Sequence, residues 1–231
     1  MREPRVLITV PRSLRGGGVA SYFEALAPHM SERWCYFLVG ASSAEERRLG
    51  RLLRVGCDAL RLAATVVESR ADVIHVNPSL DAWSLLRDGL SVLVAKTLRR
   101  KVVVFFHGWE EMTARRLQGV WLVAFSLVFF RADACIVLSS GFRDALRAWG
   151  YLGPIHVVTT VVSEDLLARC SEGVAAKRHS RAGGANVLFL ARAMREKGIL
   201  TTIAAFVSAS TRVDGLTLRI AGDGPDLDVA I

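Results

Sequence analysis

The sequence predicts an α/β fold of doubly wound parallel sheets, and three observations carry that prediction. Short, nearly continuous apolar runs recur along the chain, helix-length segments separate them, and the alternation lapses once before starting again. Runs with no polar alternation suit strands buried on both faces, which is the situation of parallel strands sandwiched between helices.

Taken in order, "RVLITV" (5–10) is the first strand, and a glycine-rich loop leads from it into a helix over 18–30. "CYFLV" (35–39) and "DVIHV" (72–76) are the next two strands, and the second is followed by a helix-length segment over 80–98. "KVVVFF" (101–106) precedes a helix over 109–131, "DACIVL" (133–138) precedes one over 140–149, and "IHVVTTV" (155–161) is the sixth strand. Between 168 and 185 the stretch "ARCSEGVAAKRHSRAGGA" has no period and collects Gly, Ser and charge, so it reads as a linker. The alternation resumes with "NVLFLA" (186–191), a helix from about Glu196 to Ala209, and "LTLRIAG" (216–222). The expected organisation is therefore a domain at 1–167, a linker at 168–185 and a partial second domain at 186–231. So small a second unit is near the size at which domains need outside support.

Composition narrows the function. With 52% hydrophobic residues in 231 the chain can bury a large core and is not a disordered protein. The net charge of +8 divides into +5 before residue 168 and +3 after it, with no basic arm or tail of the nucleic-acid-binding kind. Cys35, Cys57, Cys135 and Cys170 form no CxxC pair, which argues against zinc and for single, mostly buried thiols in a reducing compartment. Val6 to Val10 is too short for a signal-peptide core, so a cytoplasmic location is expected. "GVWLVAFSLVFF" (119–130) falls short of the roughly 20 residues of a membrane span and reads as a core helix, with a lipid-facing helix as the alternative.

Three loops carry candidate chemistry. In "LFLARAMREKGILTTIAAF" a strand breaks into a turn holding Arg192 and Lys197 and resumes as a helix. Loops at the C-terminal ends of parallel strands bind ligands, and a helix N-terminus attracts anions, so a phosphate fits there; Glu196 is the competing partner for Lys197. Gly16, Gly17 and Gly18 lie between the first strand and its helix, either cradling a ligand or making a flexible turn. They do not form GxGxxG, and no acid ends the second strand, which leaves a dinucleotide-dependent oxidoreductase as a runner-up. His107 and Gly108 follow a buried strand directly, where a polar ring gains weight as a substrate contact. Glu110 and Glu111 read as helix-start acids, His75 as a buried, paired strand residue, and Ser139 or Ser140 as an N-cap. The "DLD" at 226–228 is not read as a metal site.

Together, "RGGGVASYFEALA", "DVIHVN", "FFHG", "ADACIVLSSGFRDAL", "NVLFLARAMREKGI" and "LRIAGDGP" resemble glycosyltransferase family 4, whose members have two facing Rossmann-like domains, the B-type glycosyltransferase fold. The resemblance implies that Arg192 and Lys197 bind the diphosphate of a nucleotide-sugar together with Gly17 and Gly18. It makes Gly16, Gly222, Asp223 and Gly224 donor-side loop residues and His107 the catalytic-site contact to the transferring sugar. It also implies retaining, metal-independent, hexosyl-type transfer to a glycan or lipid-linked acceptor, in polysaccharide biosynthesis. The expected place of work is the cytoplasm or the inner membrane face, to which "VAKTLRRK" (94–101) and the 119–130 helix suit a peripheral association. Ala191 stands where the family has Gly, and Val162–Ser163 where it often has Asn-Gly. The family's later pair of Glu is absent, so a C-terminally truncated domain is expected, with a non-catalytic binding module as the alternative.

Overall fold

A computed structural model describes residues 3–12, 18–40, 48–170 and 185–230. The chain divides into two units, Met1–Leu167 and Ala168–Ile231. In the first, β1 (Val6–Pro11), α1 (Gly18–Leu26), β2 (Trp34–Val39), α2 (Arg48–Glu68), β3 (Val73–Val76), β4 (Ser79–Leu80), α3 (Ala82–Thr97) and β5 (Lys101–Phe106) follow one another. Then come β6 (Gly108–Trp109), α4 (Glu111–Arg116), α5 (Val120–Phe129), β7 (Ala134–Val137), α6 (Ser140–Ala148) and β8 (Ile155–Val157). Helix α7 covers 164–170.

Six strands form one parallel sheet in the order β2-β1-β3-β5-β7-β8, the doubly wound α/β arrangement. Strand periodicity explains how both faces are covered. Leu7 of β1 enters a core cluster with Leu62 and Val66 of α2, Val92 of α3 and Phe125 and Phe129 of α5. Its neighbours Val6, Ile8 and Val10 point to the other face and pack with Phe23 of α1.

Several elements differ from the sequence reading. The 21-residue α2 has no counterpart in it, because its buried stripe is narrow and several arginines surround it. The Asp58 carboxylate of α2 accepts from Gly40 N at 2.8 Å and pairs with Arg61 at 3.2 Å, so this helix is tied to the end of β2. The helix expected over 109–131 is two helices, broken before Gly119, which takes a left-handed φ of 53°. The sixth strand stops at Val157 because its β7 partner ends at Val137. Helix α7 reaches Cys170, inside the expected linker, whose residues 171–184 lie outside the described residues. Only Cys135 is a buried thiol, pushed up to about 11 by burial; Cys35, Cys57 and Cys170 are exposed, the first because β2 is an edge strand.

Two cations of the "VAKTLRRK" stretch are already engaged. Lys96 Nζ and Lys101 Nζ reach the Asp133 carboxylate at 2.6 and 2.9 Å, and Val102 N donates to it at 2.8 Å. They serve the N-terminal edge of the sheet, which weakens the membrane reading of that stretch. Among the described residues no helix is long and apolar enough to cross a membrane.

In the second unit β9 (Asn186–Leu190) pairs in parallel with β10 (Thr217–Ala221), and α8 (Ile199–Ser210) and α9 (Leu227–Ala230) complete it. Its core is Phe189, Ala193 and Ile199, with Ile203, Leu218, Ile220 and Leu227 packed around them.

Partial burial would raise the Asp133 carboxyl, but the donors from Lys96, Lys101 and Val102 outweigh it and bring it down to about 2. A carboxyl depressed in the folded state stabilises above its unfolded value of about 4, and that stability is lost as pH falls toward 2. Asp133→Asn should therefore lower Tm at pH 7, and the gap from wild type should narrow steadily between pH 4 and pH 2.5 in thermal melts.

Candidate functional site

In the first unit the C-terminal ends of β1, β3 and β5 lie side by side, and polar residues at these ends bond across the strands. Asn77, just past β3, donates through Nδ2 to the Thr9 carbonyl at 2.8 Å and to the His75 carbonyl at 3.4 Å. Its backbone N–H reaches Thr9 Oγ1 at 3.3 Å. Because Nδ2 is used on carbonyls, Asn77 Oδ1 is the atom facing His107 Nε2, 3.0 Å away. An amide oxygen only accepts, so His107 donates from Nε2 and its Nδ1 carries the lone pair. The His107 backbone is held too, donating to the Pro78 carbonyl at 3.2 Å.

Aromatic rings close around that imidazole. Phe105 lies 3.7 Å from it between centroids, Tyr22 of α1 meets it edge-on at 5.0 Å, and Phe23 at 5.9 Å. Burial, with His75 nearby, lowers the His107 pKa to about 4. His75 is buried as expected but not fully paired: its Nδ1 has no hydrogen-bond partner, and burial brings it down to about 4 against the hydrogen bonds that oppose it. His107 is thus a neutral imidazole near pH 7, with Nδ1 free of protein partners among the described residues. It suits accepting a hydrogen bond from a hydroxyl rather than supplying charge.

Gly108 fits beside it only as glycine: a Cβ would lie 2.7 Å from Ser79 Oγ, across the β4–β6 pair. Gly18 opens α1 and is exposed, while Gly16 and Gly17 lie outside the described residues. Glu111 pairs with Arg115 at 3.1 Å, the Glu110 carboxylate accepts from the Thr113 hydroxyl, and Ser139 caps α6 by accepting from Phe142 N at 3.2 Å. Sequence reasoning missed Thr9 and Asn77. The signal for Asn77 was the one used for His107, a polar residue directly after a buried strand.

In the second unit Arg192 and Lys197 both follow β9, on the loop before α8, and both are exposed. Lys197 closes a 3₁₀ turn (Arg195–Lys197), and Gly198, in a left-handed conformation at φ 80°, leads into α8 without any side-chain cap. Neither cation has an ion-pair partner within 4.0 Å among the described residues, Glu196 included. The Gly222–Gly224 loop packs onto this loop by backbone. Asp223 O accepts from Ala193 N at 3.0 Å, and Ala193 O accepts from Asp226 N at 3.1 Å. A Cβ on Gly222 would sit 1.8 Å from Ala191 O, and one on Gly224 2.3 Å from Ala193 O. The Asp223 carboxylate turns back to Gly224 N at 2.8 Å, and Asp226 accepts from Arg195 N at 2.7 Å. Two strand-end loops are in this way locked into one, and its cations Arg192, Arg195 and Lys197 have no ion-pair partner within 4.0 Å among the described residues.

The family model described as Glycosyltransferase Family 4 matches residues 16–166, well over half of the chain and almost all of the first unit. The chain belongs to glycosyltransferase family 4. Among solved structures, sucrose-phosphate synthase from Thermosynechococcus elongatus superposes with a TM-score of 0.61 at 18% identity, over 95% of this chain and 62% of that one. UDP-N-acetylglucosamine 2-epimerase from Rickettsia bellii gives 0.52 at 11% identity, over 99% and 64%. A glycosyltransferase from Rickettsia africae ESF-5 gives 0.46 at 16%, over 97% and 69%. The first two share the B-type fold with this family 4 chain, which spans less than two thirds of the length of either. No curated protein matches it in sequence. In this family 4 chain the His107 edge lies within the matched residues, and the Arg192 loop lies beyond them.

Two outcomes are expected. In a nitrogen NMR titration His75 and His107 should stay neutral down to about pH 4, with His107 in the Nε2–H form; both favour the folded state above pH 6.5, and that contribution declines as pH falls toward 4. A midpoint near 6.5 for His107 would refute the assignment. Gly222→Ala should distort the Ala191–Ala193 loop and lower hydrogen-exchange protection in β9 and β10 while leaving β1, β3 and β5 unchanged.

Proposed function

We propose that this chain contributes the acceptor-side domain and part of the donor-side domain of a transferase that moves a hexosyl group from a nucleotide-diphosphate sugar to a glycan or lipid-linked acceptor, with retention and without a metal. The observation that carries the reading is the pair of unanswered cations, Arg192 and Lys197, before the uncapped N-terminus of α8. Free helix N–H groups and unpaired cations on a locked loop form a binding place for a diphosphate. Positive charge there would stabilise the leaving diphosphate in the role a divalent ion plays elsewhere. Gly16, Gly17 and Gly18 are assigned to the same donor, and His107 Nδ1 to a hydroxyl of the transferring sugar.

Each charge-assisted bond contributes about 1.5–3 kcal/mol, so the two cations supply roughly 3–6 kcal/mol before ordering costs. Millimolar binding needs about 4.1 kcal/mol, so weak, measurable donor binding is expected. Titration calorimetry with UDP, GDP and ADP should show one of them binding near millimolar concentration. Arg192→Ala or Lys197→Ala should weaken it about 10- to 150-fold. If none binds to the folded chain, or Arg192→Ala binds equally well, the donor reading fails and a non-catalytic binding module takes its place.

A further inference from the structure

Strand β2 lies at one edge of the six-stranded sheet, and its register on β1 settles which of its backbone groups are spent. Val6 N donates to the Arg33 carbonyl at 3.0 Å, and Arg12 N to the Val39 carbonyl at 2.7 Å. The odd-numbered residues of β2 therefore face β1, while Tyr36 and Leu38 point their N–H and C=O groups away from the sheet. None of those outward groups has a hydrogen-bond partner among the described residues. Natural edges are blunted by charge, proline or a bulge. Yet "WCYFLV" (34–39) holds no charged residue and no proline, and it pairs with β1 residue for residue. Along the same edge runs an apolar groove of about 410 Å³, with Ala20 and Phe23 of α1 on one side and Tyr36 and Leu38 of β2 on the other.

We propose that this edge pairs with β2 of a second copy of the chain, antiparallel across a twofold axis, so that two six-stranded sheets become one. Tyr36 of one copy then stands opposite Leu38 of the other. Each of these residues carries its N–H and C=O on the outward side, so the pairing uses every free backbone group at 36 and 38. A twofold axis makes identical strands antiparallel, and the contact closes after two copies. Residues opposite each other in a strand pair share a face, so Tyr36 and Leu38 of both copies meet on the α1 side and cover one another's apolar surface. Charge selects the same occupant. Arg12 and Glu24 also line the groove, and neither has an ion-pair partner within 4.0 Å among the described residues. One cation and one carboxylate per copy are self-complementary, whereas a basic or an acidic partner would set one of them against its own sign. Helix α2 also exposes leucines, Leu53 and Leu60 among them, but a helix bonds its backbone internally, and an open strand edge is itself a template for another strand.

The test is sedimentation of the full chain over about a hundredfold range of concentration around micromolar, with hydrogen exchange measured at both ends of the range. A monomer–dimer equilibrium is expected, reaching twice the 25.2 kDa mass of the chain. The Tyr36 and Leu38 amides should exchange about tenfold more slowly in the dimer. Leu38→Lys, on a side chain 47% exposed in the single chain, should weaken dimerisation by about tenfold or more, with the melting curve at the dilute end unchanged. Leu38→Pro should weaken it too, by removing an N–H that no bond within the chain uses. A chain that stays monomeric throughout overturns the proposal, as does a dimer in which both amides exchange as they do in the monomer. So does a dimer indifferent to Leu38→Lys but lost in Leu60→Glu, which would place the interface on the exposed face of α2. Assemblies that grow past the dimer would mean head-to-tail pairing of unlike surfaces, and they overturn it as well.

Discussion

Everything in the first unit depends on six strands running parallel. A parallel strand cannot return to its neighbour by a tight turn; it must cross a face of the sheet, and each crossing lays down a helix that buries that face. The same constraint sends every strand-to-helix loop to one edge. Thr9, Asn77 and His107 are far apart in the chain but neighbours in space, because β1, β3 and β5 are adjacent in the sheet and end together. The site is a by-product of the connection rule, and its polar residues sit where the last strand hydrogen bonds have been made.

Those polar residues are constrained by burial rather than by charge. Asn77 is only 2% exposed, so each of its amide groups must find a partner, and the partners available decide its orientation. That orientation sets the tautomer of His107, and the aromatic rings around it keep the imidazole uncharged. Burial disfavours the protonated ring, and the nearby His75 adds to that effect. The edge therefore presents a neutral acceptor atom, which is a different chemical instrument from the cations on the strand-end loop of the second unit.

The second unit solves the opposite problem with less material. Its loop places positive charge in front of a helix N-terminus, where charge of that sign is disfavoured. Packing backbone directly against backbone at Gly222 and Gly224 gives the loop rigidity that three buried core residues would not provide alone. The core is small because β9 shows Leu188 and Leu190 to solvent at 60% and 74%.

By itself the sequence determined the strand–helix alternation, all six strands of the large sheet, the placement of His107 and Arg192 at strand ends, and the resemblance that the family match upholds over 16–166. These are local signals: apolar runs, periodicity and loop chemistry act between residues a few positions apart. The tertiary structure alone decided the rest. Helix α2 was hidden because its buried stripe is legible only once Leu62 and Val66 join the core cluster that also holds Leu7 of β1. The exposure of Cys35 follows from β2 being an edge strand, a matter of strand order. The hold of Asn77 on His107, the engagement of Lys96 and Lys101 by Asp133, and the freedom of Lys197 from Glu196 are pairwise outcomes. Such outcomes depend on which side chains arrive within hydrogen-bond distance, and for most of them the partners are tens of residues apart, beyond the reach of any local pattern.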